Sequence, residues 1–196
     1  TKQLIAKSGY SSQLGFEIYL NNSKLGEKLW DTICSFGKKY NLRPGAPNLI
    51  DRIEAGLLSF GNDMTSENSP LECGFEKYCA LSSDIDFIGK AKLKSEKNIG
   101  PKLKLCGIAF GGEAQSACTI PWPIYFNNLK IGEITSGIYN PSLKVNTGIA
   151  LVMTENLDKL STVKVKALNS KITEGVICSL PFTISKNYEL INQIRY

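Results

Sequence analysis

From Gly15 to Leu20 apolar and polar residues alternate. Phe16, Ile18 and Leu20 fall on one face of an extended segment, and Glu17 and Tyr19 fall on the other. With Gln3–Lys7 this predicts two strands joined by a Gly/Ser-rich turn. The period then changes to that of a helix. Leu25, Leu29, Ile33 and Phe36 form a stripe over Lys24–Phe36, with Ser23 placed to cap it and Gly37 to stop it. A second helix is predicted to start near Pro47 and to bury Leu49, Ile50, Ile53 and Leu57. Its Ala55-Gly56 pair would let another backbone approach, at about 1 kcal/mol of helix propensity for the glycine. A short helix over Gly89–Lys97 follows the turn-like Ser82–Asp86.

Asn98-Ile99-Gly100-Pro101 reads as a linker, and the texture changes beyond it. Lys102–Phe110, Ile124–Phe126, Lys130–Ser136, Gly148–Met153 and Thr162–Ala167 read as short strands, separated by turn signals such as Asn127-Asn128 and Asn140-Pro141. That pattern suggests a compact antiparallel β-barrel. The expected organisation is α+β, with a mixed domain over residues 1–97 and a barrel domain over residues 98–196.

Composition narrows the function classes. Hydrophobic residues make up 42% of the 196, enough for a real core. No apolar run approaches membrane-spanning length. The net charge of +5 mildly favours anionic partners. The lysines from Lys90 to Lys104 lack the interleaved aromatics of a single-strand platform, so a solvated helix face and linker explain them and nucleic acid is not expected. The six cysteines show no C-x-x-C spacing, which points to free thiols in a reducing cytoplasm and to no metal site. The absence of histidine removes Ser-His-Asp, Cys-His and H-E-x-x-H chemistry from this segment. Neither a P-loop nor G-x-G-x-x-G is present.

Glu17 and Tyr19 are the candidate binding residues. A carboxylate can accept two adjacent N–H donors of a flat heterocycle while a phenol flanks the ring. The outward polar face of any half-buried strand would look the same, so the pair alone leaves both readings open.

The ordered motifs say more. Ser8–Leu20 (SGYSSQLGFEIYL), Arg52–Met64 (RIEAGLLSFGNDM), SPLECGFEKYC, DFIGKAKL and Ile131–Val152 together resemble the glycine-cleavage T-protein (aminomethyltransferase) superfamily over roughly residues 5–182. Tyr19, Pro121-Trp122-Pro123 and Phe75–Cys79 are most similar to its dimethylsulfoniopropionate demethylase branch. The resemblance implies an α/β sandwich followed by a jelly-roll-like barrel. It implies tetrahydrofolate as cofactor, with Glu17 matching the glutamate that holds the pterin end and Tyr19 lining the same pocket. It implies a one-carbon transferase, in the demethylase version moving a methyl group from a sulfonium to folate N5. No catalytic residue is assigned within this chain.

Departures matter as well. Asn48 stands where aminomethyltransferases carry a folate-contacting arginine. Arg52 is expected in an ion pair, Asp63 in a turn bond, and Glu54 in a structural role. Trp122 is expected either to plug the barrel or to face a missing domain. The family's long N-terminal part is absent, so a C-terminal fragment that is inactive alone is expected, with the missing domain as its natural partner and self-association at the exposed seam as a further possibility. The rival class is a non-enzymatic folate-binding or regulatory module of the same fold. Lys7-Ser8-Gly9-Tyr10-Ser11-Ser12-Gln13 lacks the cysteine of the tRNA-modification-linked relatives. A third reading is an interaction domain that kept the fold and lost the site.

Overall fold

A computed structural model describes residues 3–46, 48–159, 162–168, 170–182 and 185–194. The chain divides into two compact units, Thr1–Asn48 and Leu49–Tyr196. This division lies earlier than the 97/98 boundary read from the sequence. The reason is local packing: Ile53, Leu58 and Cys73 belong to the same buried cluster as the barrel residues Ala109, Ile149 and Val176.

In the first unit, β1 (Leu4–Ala6) pairs antiparallel with β2 (Glu17–Tyr19). Both strands are shorter than their alternation suggests. A 3-10 turn over Ser23–Leu25 leads into α1 (Gly26–Gly37). Asn22, not Ser23, is the cap, because its side chain accepts from the Lys24 N–H at 3.1 Å. Nor does Gly37 end the helical path. It stays right-handed and runs into a second 3-10 turn, Lys38–Tyr40, which stops at Asn41 in the left-handed region (φ 57°).

In the second unit, α2 (Leu49–Ala55) begins after Pro47, which lies outside the described residues. Gly56 sits beyond its last residue at φ +68°, so it ends the helix rather than weakening its interior. A Cβ on Gly56 would lie 2.9 Å from Leu180 Cβ, so what approaches the glycine is a side chain and not the backbone expected of the Ala-Gly pair. α3 (Lys90–Ile99) carries most of the basic stretch. Lys90 is the exception: its ammonium is turned in to donate to the Ser83 and Ile85 carbonyls, both at 2.6 Å.

Six strands close the barrel: β3 (Leu103–Phe110), β4 (Trp122–Phe126), β5 (Leu129–Asn140), β6 (Val145–Met153), β7 (Thr162–Val165) and β8 (Thr173–Cys178). Their order is β3-β6-β5-β4-β7-β8, with every neighbouring pair antiparallel. Asn127 and Asn128 both take positive φ (47° and 64°), the backbone of a tight two-residue hairpin. Period-2 geometry explains the core. Ile108, Phe110, Ala150 and Val152 point into the barrel, and the alternate residues Ala109 and Ile149 point out. The outer face is covered too, by Ile53 of α2, Phe182, and Ile191 of α4 (Ser185–Asn192). Strands buried on both faces read as continuous apolar runs. Trp122 is inside the barrel, 5.8 Å from the Phe110 ring and edge-on to it, which resolves its two alternatives in favour of the plug. Among the described residues no helix is long and apolar enough to cross a membrane.

Candidate functional site

The β1–β2 register sets Ala6 opposite Glu17 and Leu4 opposite Tyr19. Glu17 and Tyr19 are two residues apart on one strand, so both side chains leave the same face. Both are exposed, Tyr19 at 50%. Ser8, in the turn before β2, donates its hydroxyl to Glu17 Oε2. Among the described residues Glu17 enters no ion pair. The carboxylate is therefore oriented by a neutral donor and faces outward. Ser8 lies in the SGYSSQLGFEIYL motif, but a serine contact across a turn has no signature of its own in the sequence.

The other acids of the motifs, Asp63 and Glu54, are used differently. Asp63 is 1% exposed and engages both oxygens. Arg52 Nη1 donates to Oδ2 at 2.7 Å, the Ser59 N–H donates to Oδ2 at 2.8 Å, and Thr135 Oγ1 donates to Oδ1 at 2.6 Å. Arg52 also reaches the Leu57 carbonyl at 2.8 Å. The turn bond expected of Asp63 and the ion pair expected of Arg52 are thus one buried network, tied to the barrel through Thr135. Thr135 reaches Asp63 from the register shift between Ile134 and Ser136 on β5. A bulge re-aims a side chain in this way, and no local sequence pattern announces it.

Glu54 accepts from Asn140 Nδ2 at 2.5 Å, and its carbonyl accepts from the Phe182 N–H at 2.8 Å. Asn140 also accepts from the Leu143 N–H at 3.0 Å, which builds the turn predicted at Asn140-Pro141. Asn146, fully buried, holds the 111–115 loop: Nδ2 donates to the Gly111 and Glu113 carbonyls, and Oδ1 accepts from the Gln115 N–H at 2.8 Å.

No thiolate chemistry is available at the barrel. Burial pushes the Cys106 thiol up to about 12, aided by the nearby Cys178 and opposed by Lys104. Burial likewise takes Cys178 to about 12 and Cys118 to about 11. All six cysteines are free, and no grouping of acidic and thiol side chains among the described residues could hold a metal ion.

Residues 1–83 match the family model for the GCVT N-terminal domain, and residues 104–183 match the glycine cleavage T-protein C-terminal barrel domain. The chain is 43% identical over 149 residues to dimethylsulfoniopropionate demethylase DmdA of Ruegeria pomeroyi, covering 76% of this chain and 40% of that protein. It is 34% identical over 191 residues to an aminomethyltransferase of Thermoanaerobacter sp. (strain X514), covering 95% of this chain and 50% of that one. The crystal structure of glycine cleavage system aminomethyltransferase T from Bartonella henselae superposes with a TM-score of 0.70 at 23% identity, over 91% of this chain and 49% of that one. The chain spans about half the length of the curated relatives it matches.

Proposed function

The chain belongs to the glycine cleavage T-protein family, and on that premise we propose that it forms part of a tetrahydrofolate-dependent one-carbon transferase. In this reading residues 1–97 contribute to the folate site and residues 98–196 form the barrel domain. The observation that carries the reading is the shared outward face of Glu17 and Tyr19, with Ser8 bonded to the carboxylate. An ionised carboxylate offers two acceptor oxygens to the adjacent amino and ring N–H donors of a pterin. Ser8 restricts the rotamers of Glu17, and Tyr19 supplies a flat flank.

Tetrahydrofolate supplies the nitrogen that takes up the one-carbon unit. The chain's own part is to grip and orient the ring, since bringing two reactants into line is itself worth several kcal/mol. We favour a sulfonium methyl donor such as dimethylsulfoniopropionate. Two features support that choice: Asn48 in place of the aminomethyltransferase arginine, and the higher identity to the demethylase than to the aminomethyltransferases. A sulfonium departs as a neutral thioether, so no general acid is required of a segment without histidine.

The test is calorimetry with tetrahydrofolate on a full-length relative. Replacing the glutamate that matches Glu17 by alanine removes charge-assisted bonds worth about 1.5–3 kcal/mol, so affinity should fall roughly 10- to 150-fold. Thermal stability should not move, because this side chain is exposed. Unchanged affinity would refute the reading. The 196-residue chain alone should show no turnover.

A further inference from the structure

We propose that the mouth of the barrel, at the end where β3 finishes and β8 begins, binds a small zwitterion: a molecule of a few carbons carrying a carboxylate and an ammonium group. Every residue that lines it belongs to Leu49–Tyr196, so the proposal does not depend on the reading of Glu17 and Tyr19.

A cavity of about 340 Å³ opens there. The buried Phe110 is one of its walls, Gly112, Glu113 and Gln115 line it from the loop after β3, and Lys171 and Thr173 line it from the segment that enters β8. Barrel mouths are common ligand sites, and this volume suits a small molecule. The loop after β3 is fixed in place. Asn146, fully buried, spends its whole amide on it, through the Gly111 carbonyl (3.3 Å), the Glu113 carbonyl (3.0 Å) and the Gln115 N–H (2.8 Å). The Tyr139 N–H donates to the Gln115 carbonyl at 3.0 Å, and the Cys118 N–H donates to the Gly137 carbonyl at 2.8 Å. In a trans peptide the carbonyl and the following N–H point in opposite directions, so the Gly112 N–H is turned away from Asn146. Among the described residues that N–H has no backbone acceptor. Gly112 lies at φ +88°, and a Cβ on it would sit 2.8 Å from Thr173 Cγ2. Glycine is therefore what brings this N–H against Thr173.

Charge identifies the ligand class. Lys171 and Glu113 line the same cavity, yet the ion pairs among the described residues are Arg52–Asp63, Lys97–Glu76 and Lys130–Glu133. Neither the Lys171 ammonium nor the Glu113 carboxylate is neutralised within the chain. The cavity thus offers an ammonium, a hydroxyl and a backbone N–H to a carboxylate, and a carboxylate to a cation. A simple anion attracted by Lys171 would meet the charge of Glu113, and a simple cation would meet that of Lys171. A molecule carrying both charges can satisfy each group and is repelled by neither.

The experiment follows backbone amide shifts of the isotope-labelled 196-residue chain by nuclear magnetic resonance. Glycine, β-alanine and γ-aminobutyrate are titrated at constant ionic strength, with acetate and methylammonium as probes of a single charge. The expected result is saturable shifts at Gly112, Gln115 and Thr173 with at least one of the zwitterions, at an affinity at least about tenfold above that of acetate or methylammonium. Lys171→Ala and Glu113→Gln, both at exposed positions, should each weaken that binding at least about tenfold while the amide shifts of β5 and β6 stay in place. Acetate binding as tightly as every zwitterion, no saturable shift with any probe, or zwitterion binding that survives either substitution overturns the proposal.

Discussion

The hairpin unit and the barrel use similar apolar alternation to opposite effect. In β3 and β6 each inward residue meets the residues of other strands, and the outward ones meet α2 and α4, so Ile108 and Ile149 are both fully buried. In β2 the same alternation buries nothing. The difference lies in strand number and closure. Six strands joined in a ring remove every edge and enclose a core, whereas two strands cannot enclose anything and are marginal alone. Alternation specifies an element and its two faces. It does not say what will cover them.

The comparison is broken most severely from the barrel side. Trp122→Ala empties the centre of the interior cluster and should cost about 3–5 kcal/mol, read as a lower urea midpoint with an unchanged slope. Asp63→Ala should cost a similar amount, because it leaves the Arg52 guanidinium buried at 6% exposure without its carboxylate and removes the acceptor of Thr135. If Asp63→Ala proved as mild as a surface change, the network would be ornamental and the packing of α2 on the barrel would need another cause.

A smaller effect depends on pH. The thiols of Cys106 and Cys178 keep their protons in the fold to about pH 12, while the ordinary value is 9.0. Above pH 9 the unfolded chain therefore binds fewer protons than the folded one. The stability is whole below pH 9 and is lost as pH rises toward 12, at up to about 1.4 kcal/mol per pH unit for each thiol. Comparing urea curves at alkaline pH for the parent chain and for Cys106→Ala with Cys178→Ala isolates this term from lysine and tyrosine titration. The double variant should show the shallower decline.

Much of this architecture was legible in the chain. The barrel announced itself through short apolar runs and Asn-rich turns, and the Asn127-Asn128 hairpin obeys its own chemistry. Two elements were not legible. β8 (Thr173–Cys178) carries a glycine at its centre, and α4 has only a weak stripe; both owe their place to what they pack against. At the site, the shared face of Glu17 and Tyr19 followed from period 2 alone. The partners of Asp63 and Glu54 did not. Thr135 and Asn140 lie 72 and 86 residues away from them, and only the closed barrel brings them together.

The gentlest perturbation sharpens the comparison from the hairpin side. Phe16→Ser in the 196-residue chain removes a large aromatic from a strand-bearing segment, a change that would be ruinous in β4 or β5. Phe16 is 69% exposed here, so the unfolding free energy should stay within about 0.5 kcal/mol of the parent. Hydrogen exchange should agree, with β1 and β2 close to unprotected and β5 and β6 exchanging only through global unfolding. A loss of 2 kcal/mol or more, on the scale of a core truncation, would mean that the hairpin already has a covered face in the free chain. The contrast between the two units would then be one of degree.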